Sequence, residues 1–429
     1  MSSNQFPENY LWYIFSFLLV SFGTVLFAGC NSSDSPTKNN TGPSVVSGTV
    51  FESPLEFDAG ENPLGITFAD FNDDNKTDYI VASSRKQNGI STTEDGTLTL
   101  FQKNSSSSSR FPFTSSTITP ATAEWRQDVI SADFNGDNKT DLVVTHTGED
   151  KIKLLRNDGS ANFTDNGSVT VGDVPINLIS GDWNSDNQTD LAVVNRGNSS
   201  VSILQNSSGV FSVSQTLSVS AHPIQIAGGD WDSDNDTDLA VLLRDNTLVQ
   251  IWLNGGTGTF SKQTTTYTVG SLPMGMISGD WNCDGKQDLA VSNSGDNTLS
   301  LIYGKGTGEF DTPVTISSGR GPGALAAADF DNDSKMDFVV GHHFLVSTNG
   351  VSLLTGDFSL TLSDTSSRTG YGSATSFAVT TVKDGSAPAA IVISDVDNDS
   401  KLDILITLPV SKKLAVLSGK LYSGNLSCP

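Results

Sequence analysis

Apolar and polar residues alternate with a period of two in segments such as "TLSLIYG" at Thr298 and "SVSILQN" at Ser200. That spacing puts the apolar side chains on one face of a pleated strand. Other segments, "DLAVV" at Asp190 and "DLAVL" at Asp238, are apolar strand-like runs that follow directly on dense acidic stretches. Thr, Val, Ser and Gly recur at regular turn spacing and β-branched residues dominate, so the pattern predicts strands throughout rather than helices.

The acidic stretches repeat. "ADFNDDNKTDYIV" from Ala69, "ADFNGDNKTDLVV" from Ala132, "GDWNSDNQTDLAV" from Gly181, "GDWDSDNDTDLAV" from Gly229, "GDWNCDGKQDLAV" from Gly279, "ADFDNDSKMDFVV" from Ala328 and "SDVDNDSKLDILI" from Ser394 are copies of one motif. Their first aspartates, Asp70, Asp133, Asp182, Asp230, Asp280, Asp329 and Asp395, lie 63, 49, 48, 50, 49 and 66 residues apart. Seven residues before each stands a proline, Pro63, Pro175, Pro223, Pro273, Pro322 or Pro388, with Arg126 the exception. Proline can open a strand but interrupts the ladder inside one. Each unit therefore reads as a strand after the proline, the acidic loop, a second and a third strand, a Gly-containing turn, and a fourth strand such as "VFSVSQTLSV".

Four strands per period of about 50 residues is one blade of a propeller. The expected fold is all-β: a seven-bladed β-propeller of four-stranded antiparallel blades over residues 47–429, with the acidic loops joining first and second strands. The segment "VFESPLEFDAGENPLGITFADF" from Val50 aligns without a gap on "VFSVSQTLSVSAHPIQIAGGDW" from Val210. The chain thus begins on an outer strand, and residues 50–58 are expected to complete the last blade and remove the exposed edges of an open array. The competing reading gives that place to "KLYSGNLSCP".

In each loop, Asp or Asn side chains fall at positions 1, 3, 5 and 9, and a backbone carbonyl at 7 can turn inward. These are hard oxygen donors and suit Ca²⁺, whereas zinc would want His or Cys. An EF-hand would need a bidentate Glu at 12 and flanking helices, and neither is present. Position 6 needs a left-handed backbone, and is Asn75, Asn138, Asn187, Asn235, Gly285, Ser334 or Ser400, so the two serine loops are expected to be the weakest. The bland alternative is that these residues only make Asx-turns between strands.

Charge narrows the partners. There are 48 Asp+Glu against 24 Lys+Arg, a net charge of −24, and no basic stripe, which argues against nucleic acid or an anionic membrane surface. The N-terminus is separate: Leu11 to Ala28 is almost unbroken apolar sequence ending in "LFAGC", and Asn/Ser/Thr/Pro-rich residues follow. It reads as an export signal. Ala28 and Gly29 before Cys30 resemble a bacterial lipoprotein signal, which implies a signal over 1–29, lipidation at Cys30 and a flexible linker over 30–46. Phe27 stands where Leu is usual, and no Lys or Arg precedes the apolar run. An uncleaved anchor and ordinary cleavage are the other readings, and all three export the chain. No argument from sequence brings Cys283 and Cys428 within disulfide reach.

The repeats resemble the FG-GAP repeats of the integrin α-subunit propeller and bacterial VCBS-type repeats, which share the D-x-[DN]-x-[DNG]-x-x-D loop. "NGGTGTF" at Asn254 and "GKGTGEF" at Gly304 match the family's Gly-rich turn before Phe. The resemblance implies up to seven Ca²⁺ ions. In the third loop it implies as ligands Asp182, Asn184, Asp186, Gln188 through its carbonyl, and Asp190. The matching positions are Asp70, Asn72, Asp74, Lys76 and Asp78; Asp133, Asn135, Asp137, Lys139 and Asp141; Asp230, Asp232, Asp234, Asp236 and Asp238. In the last three loops they are Asp280, Asn282, Asp284, Lys286 and Asp288; Asp329, Asp331, Asp333, Lys335 and Asp337; and Asp395, Asp397, Asp399, Lys401 and Asp403.

The resemblance also implies that a protein, matrix or glycan ligand binds the face opposite the acidic loops. Insertions around "SSRKQNGISTTED" from Ser83 and "SDTSSRTGYGSATS" from Ser363 would enlarge that face. Trp125 and Arg126 replace x-Pro there: Trp125 is either a ligand anchor or folded back on its neighbour. Trp183, Trp231, Trp281, Phe71, Phe134 and Phe330 follow the first aspartates and are expected between blades. Four scattered histidines, His146, His222, His342 and His343, offer no catalytic constellation, so no enzyme is expected. The reading is a calcium-binding surface lipoprotein of adhesion type, with a lectin-like propeller as the alternative.

Overall fold

A computed structural model describes residues 54–84, 96–103, 111, 113–118, 128–328, 336–342, 344–348, 351–355 and 388–419. Every regular element among them is a strand. No helix among them is long and apolar enough to cross a membrane. Residues 1–53, with Cys30, and the segment containing Trp125 and Arg126 lie outside the described residues.

Five four-stranded antiparallel sheets follow the chain in order, each in the sequence first, second, third, fourth strand. In the third of them, for example, Pro175–Gly181, Asp190–Asn195, Ser200–Ser207 and Val210–Ser218 lie side by side. A sixth sheet joins the two ends of the chain: Ile391–Ser394, Asp403–Leu408 and Lys413–Leu417 take Leu55–Asp58 as their outer strand, with Leu55 opposite Val416 and Asp58 opposite Lys413. The propeller is thus closed by pairing N-terminal with C-terminal sequence, with Leu55–Asp58 outermost and covering the edge of Lys413–Leu417.

The prolines open the first strands at Pro63, Pro175, Pro223, Pro273 and Pro322. In each the register shifts just after the proline, for instance between Pro175 and Asn177. The residue left out of register is the one after the proline, Ile176 in the third blade, so the ladder is irregular just where the proline opens it.

One unit departs from the expected four strands. Pro322–Ala328 and Asp337–His342 form a two-stranded sheet, and Phe344–Thr348 pairs instead with Val351–Thr355 in a separate hairpin. In the third blade four residues separate the second strand, Asp190–Asn195, from the third, Ser200–Ser207, and the chain turns back. Here a single residue separates the second strand, Asp337–His342, from Phe344–Thr348, too little chain to reverse. The first strand of this unit touches Pro273–Gly279 on one side and Ile391–Ser394 on the other.

The hydrophobic core is divided among the seams between blades. One cluster joins Trp183, Val201 and Ile203 of the third blade to Ile226, Leu239 and Phe260 of the fourth. Another joins Ile66, Tyr79 and Phe101 of the first blade to Val392, Leu405 and Val416 of the closing one. Phe71, Phe134, Trp183, Trp231 and Trp281 sit here as expected, and Phe330 lies outside the described residues. Phe71, Phe134, Trp183 and Trp231 meet Phe163, Phe211, Phe260 and Phe310 of the next blade at ring-centroid distances of 5.7, 5.7, 6.0 and 5.8 Å. Ring size is matched two residues upstream. A Cβ on Gly181 would lie 2.4 Å from the Trp183 ring, and one on Gly279 would lie 2.5 Å from Trp281. Where the ring is the smaller Phe71 or Phe134, the same position is Ala69 or Ala132.

Candidate metal loops

The acidic loops share one local geometry. In the third loop Asp182 accepts the backbone N–H of Asp186 (3.1 Å) and of Asn187 (2.8 Å), Asn184 Oδ1 accepts that of Asp186 (3.1 Å), and Asp186 Oδ1 that of Gln188 (2.8 Å). The same ladder recurs at Asp70, Asp280 and Asp395. It holds position 6 in the left-handed region, with φ of 61°, 61°, 64°, 71°, 79° and 66° at Asn75, Asn138, Asn187, Asn235, Gly285 and Ser400. Position 4 is left-handed too, at Asp73, Gly136, Ser185, Ser233, Cys283 and Asn398. The mixed residue types at position 4 hid this from the sequence reading.

Position 9 is different in kind. Asp78, Asp141, Asp190, Asp238, Asp288 and Asp403 are buried, and their Oδ1 atoms accept backbone N–H groups at the end of the third strand. The donors are Lys103, Asn157, Asn206, Asn254, Gly304 and Gly419, at 2.7–3.0 Å. The Oδ2 atoms of Asp190, Asp238, Asp288 and Asp403 accept the N–H of Trp183, Trp231, Trp281 and Val396. One carboxylate thus clips the acidic loop to its own blade. Burial, reinforced by the loop's other carboxylates, raises Asp78, Asp141, Asp190 and Asp403 to about 6, and Asp238 and Asp288 to about 7.

A second link runs between blades. Asn157, Asn206 and Asn254, each 16 residues beyond its position-9 aspartate, donate through Nδ2 to the carbonyls of Phe71, Phe134 and Trp183 in the preceding loop, at 2.8 Å in all three. Sequence reasoning missed these asparagines. Their constant spacing was the available signal.

The loops differ in how their charge is met. Lys76 pairs with Asp74 (2.9 Å), Lys401 with Asp399 (2.8 Å), and Arg156 with Asp137 (2.9 Å). The Arg156 hydrogen bond holds Asp137 below the usual carboxylate range. The fourth loop has Asp236 at position 7 in place of a lysine or glutamine. Burial and then Asp234 raise Asp232. Carboxylate oxygens of Asp230, Asp232 and Asp238 come within 4.8 Å of one another, as do those of Asp395, Asp397 and Asp403. Oxygens that share a calcium at 2.3–2.6 Å lie up to roughly 5 Å apart, so the donor type and spacing fit that ion. Asp329, Asp331, Asp333 and Lys335 lie outside the described residues, and Asp337 opens a second strand.

An all-β propeller with one acidic loop after each first strand is the class these features define. The chain is an FG-GAP-like repeat protein: the family's sequence model matches residues 133–193, 182–241, 230–291 and 280–340. No curated protein matches the chain. Among solved structures it resembles BBS1N, determined in complex with ARL6DN, at 12% identity over 88% of this chain and 99% of that one, with a TM-score of 0.56. A protein from Lactobacillus plantarum matches at 13% identity over 80% and 95%, with a TM-score of 0.49. A periplasmic gluconolactonase of Pseudomonas aeruginosa matches at 14% identity over 64% and 72%, with a TM-score of 0.43. Likeness at these identities concerns the fold alone.

Proposed function

We propose that the protein is a calcium-stabilised, seven-bladed propeller, exported as a lipoprotein through Cys30, that binds a protein, matrix or glycan ligand on the face opposite its acidic loops. The count of seven is supported by the two-stranded unit from Pro322, whose first strand bridges the fifth and closing blades. The calcium reading is carried by the fourth loop, where three carboxylates converge and the sequence offers no cation at position 7.

The protein's own residues would do the holding. Asp230, Asp232, Asp234 and Asp238 would supply carboxylates and Asp236 its carbonyl, while the Asp238 clip to Trp231 and Asn254 fixes the loop's shape. The ion's part would be structural. At about 1 mM calcium and a dissociation constant of about 0.1 mM, one site adds about 1.4 kcal/mol. Thermal unfolding in excess calcium and in chelator tests this. A higher melting temperature in calcium is expected, lost in part on Asp232→Asn, and superimposable curves would sink the reading. Mass spectrometry of the mature N-terminus tests lipidation at Cys30.

A further inference from the structure

The second strands run away from the acidic loops, so the turns that follow them lie on the opposite face. The residue one past the second strand is Ser84, Thr147, Ser294 or Pro409 in four blades. The turn evidently works with small or rigid residues there. In the third and fourth blades it is Arg196 and Arg244.

These two arginines are brought together. The strand Asp190–Asn195 packs against Pro223–Gly229 of the next blade, the Arg196 N–H bonds Val174 O (3.0 Å), and the Arg244 N–H bonds His222 O (3.2 Å). Arg196, directly after the strand that packs on Pro223–Gly229, and Arg244, bonded to His222 directly before that strand, thus lie at one seam, close enough for their charges to act on each other. Both arginines are partly buried. Among the described residues, the Arg196 guanidinium makes no hydrogen bond or ion pair. The carboxylate at this seam, Asp245, bonds His222 Nδ1 and attracts both arginines, one carboxylate against two guanidinium groups. A partly desolvated guanidinium with five donors and no acceptor is costly, and a second arginine beside it adds repulsion. Burial, and then Arg244, push the Arg196 pKa below its usual value. In a chain with twice as many acids as bases, such a pair is not a by-product of composition.

We infer that Arg196 and Arg244, with His222 at their edge, form an oxyanion-binding site at the seam of the third and fourth blades, for a ligand bearing a carboxylate, sulfate or phosphate group. The planar guanidinium fork matches such groups with two parallel hydrogen bonds, and two forks from adjacent blades make the site selective for one anionic group. The inference rests on the reading that this face takes the ligand, and it gives that ligand a chemistry.

Isothermal titration of the full chain with acetate, sulfate and phosphate, in calcium-free buffer, tests it. Saturable one-to-one binding of at least one anion is expected, weakened tenfold or more by Arg196→Gln and by Arg244→Gln. The three arms tell a carboxylate preference from a tetrahedral one. No saturable binding up to about 0.15 M, or binding unchanged in both variants, overturns the site. A macromolecular ligand from a glycan or matrix screen separates the two readings. If Asn246→Trp blocks it but both arginine variants bind it normally, the oxyanion site falls and the face reading stands. If only Val210→Trp on the acidic-loop face blocks it, the face reading falls and this inference with it.

Discussion

Replacing Asp190 by alanine removes both acceptors of the third-loop clip, the one for the Asn206 N–H at 2.7 Å and the one for the Trp183 N–H at 3.2 Å. Each buried donor left unpaired costs about 1–3 kcal/mol, so the pair costs about 2–6 kcal/mol. An opposing effect depends on pH. Burial raises Asp190 from 3.8 to about 6, so the unfolded chain releases this proton near 3.8 and the folded chain near 6. The folded state holds the proton more tightly, and the wild-type protein therefore loses stability as pH rises through that window. Between about pH 5 and about pH 8 the loss is about 1.4 kcal/mol, one pKa unit's worth. Alanine has no proton to lose. In chelator, then, Asp190→Ala destabilises more at about pH 5 than at about pH 8, by about that amount, and calcium narrows the difference by favouring the carboxylate. Urea unfolding followed by tryptophan fluorescence at the two pH values measures it. A variant within about 0.5 kcal/mol of wild type at both, or one hurt more at the higher pH in chelator, refutes the reasoning.

Two further substitutions probe other layers of the fold. Gly181→Ala puts a Cβ 2.4 Å from the Trp183 ring and is expected to destabilise by about 1–3 kcal/mol. In the double variant Gly181→Ala/Trp183→Phe, which copies Ala69 and Phe71, a favourable coupling of about 1 kcal/mol or more should appear in a double-mutant cycle, and strict additivity would rule out the ring-size argument. Asp128 is buried and accepts from Val129 N–H (3.0 Å), Asn177 Nδ2 (2.7 Å) and Leu178 N–H (3.2 Å), and burial raises it to about 7. Asp128→Asn loses an acceptor but also a buried charge, so it should be clearly destabilising at about pH 5 and much less so at about pH 8. Asp128 is remote from the acidic loops, and this pH dependence should persist in calcium. Its disappearance there would show that Asp128 feels the ion.

The parts of the fold legible in sequence were those that repeat. Prolines that cannot sit inside a ladder marked the first strands, the acidic motif marked the loops, and the gap-free match of Val50 onto Val210 gave away the pairing of Leu55–Asp58 with Lys413–Leu417. What stayed hidden depends on partners far along the chain. The asparagines at 157, 206 and 254 look like ordinary strand ends until the preceding blade supplies a carbonyl. Arg196 and Arg244 look like turn residues until adjacent blades bring them to one seam. The unit after Pro322 misled for a local reason: its strand count was inferred from its neighbours, but one residue between His342 and Phe344 cannot make the turn the pattern assumes.

The position-9 aspartates also change how the loops' acidity is to be understood. Read along the sequence, positions 1, 3, 5 and 9 are equivalent donors around one ion. In the folded chain, positions 1, 3 and 5 bind the loop's own N–H groups, whereas position 9 is buried and reaches the second residue of the loop and the end of the third strand. Hydrogen bonds thus fix the loop's shape, and what they leave unbalanced is charge. That imbalance grows with pH, because Asp238 and Asp288, raised to about 7, still hold protons in mildly acid solution and lose them above neutrality. A cation bound in these loops would therefore add least stability at about pH 5 and most at about pH 8. A melting-temperature gain from calcium that is larger at the higher pH would bear this out, and a gain independent of pH would mean that the ion acts on the loops' shape instead.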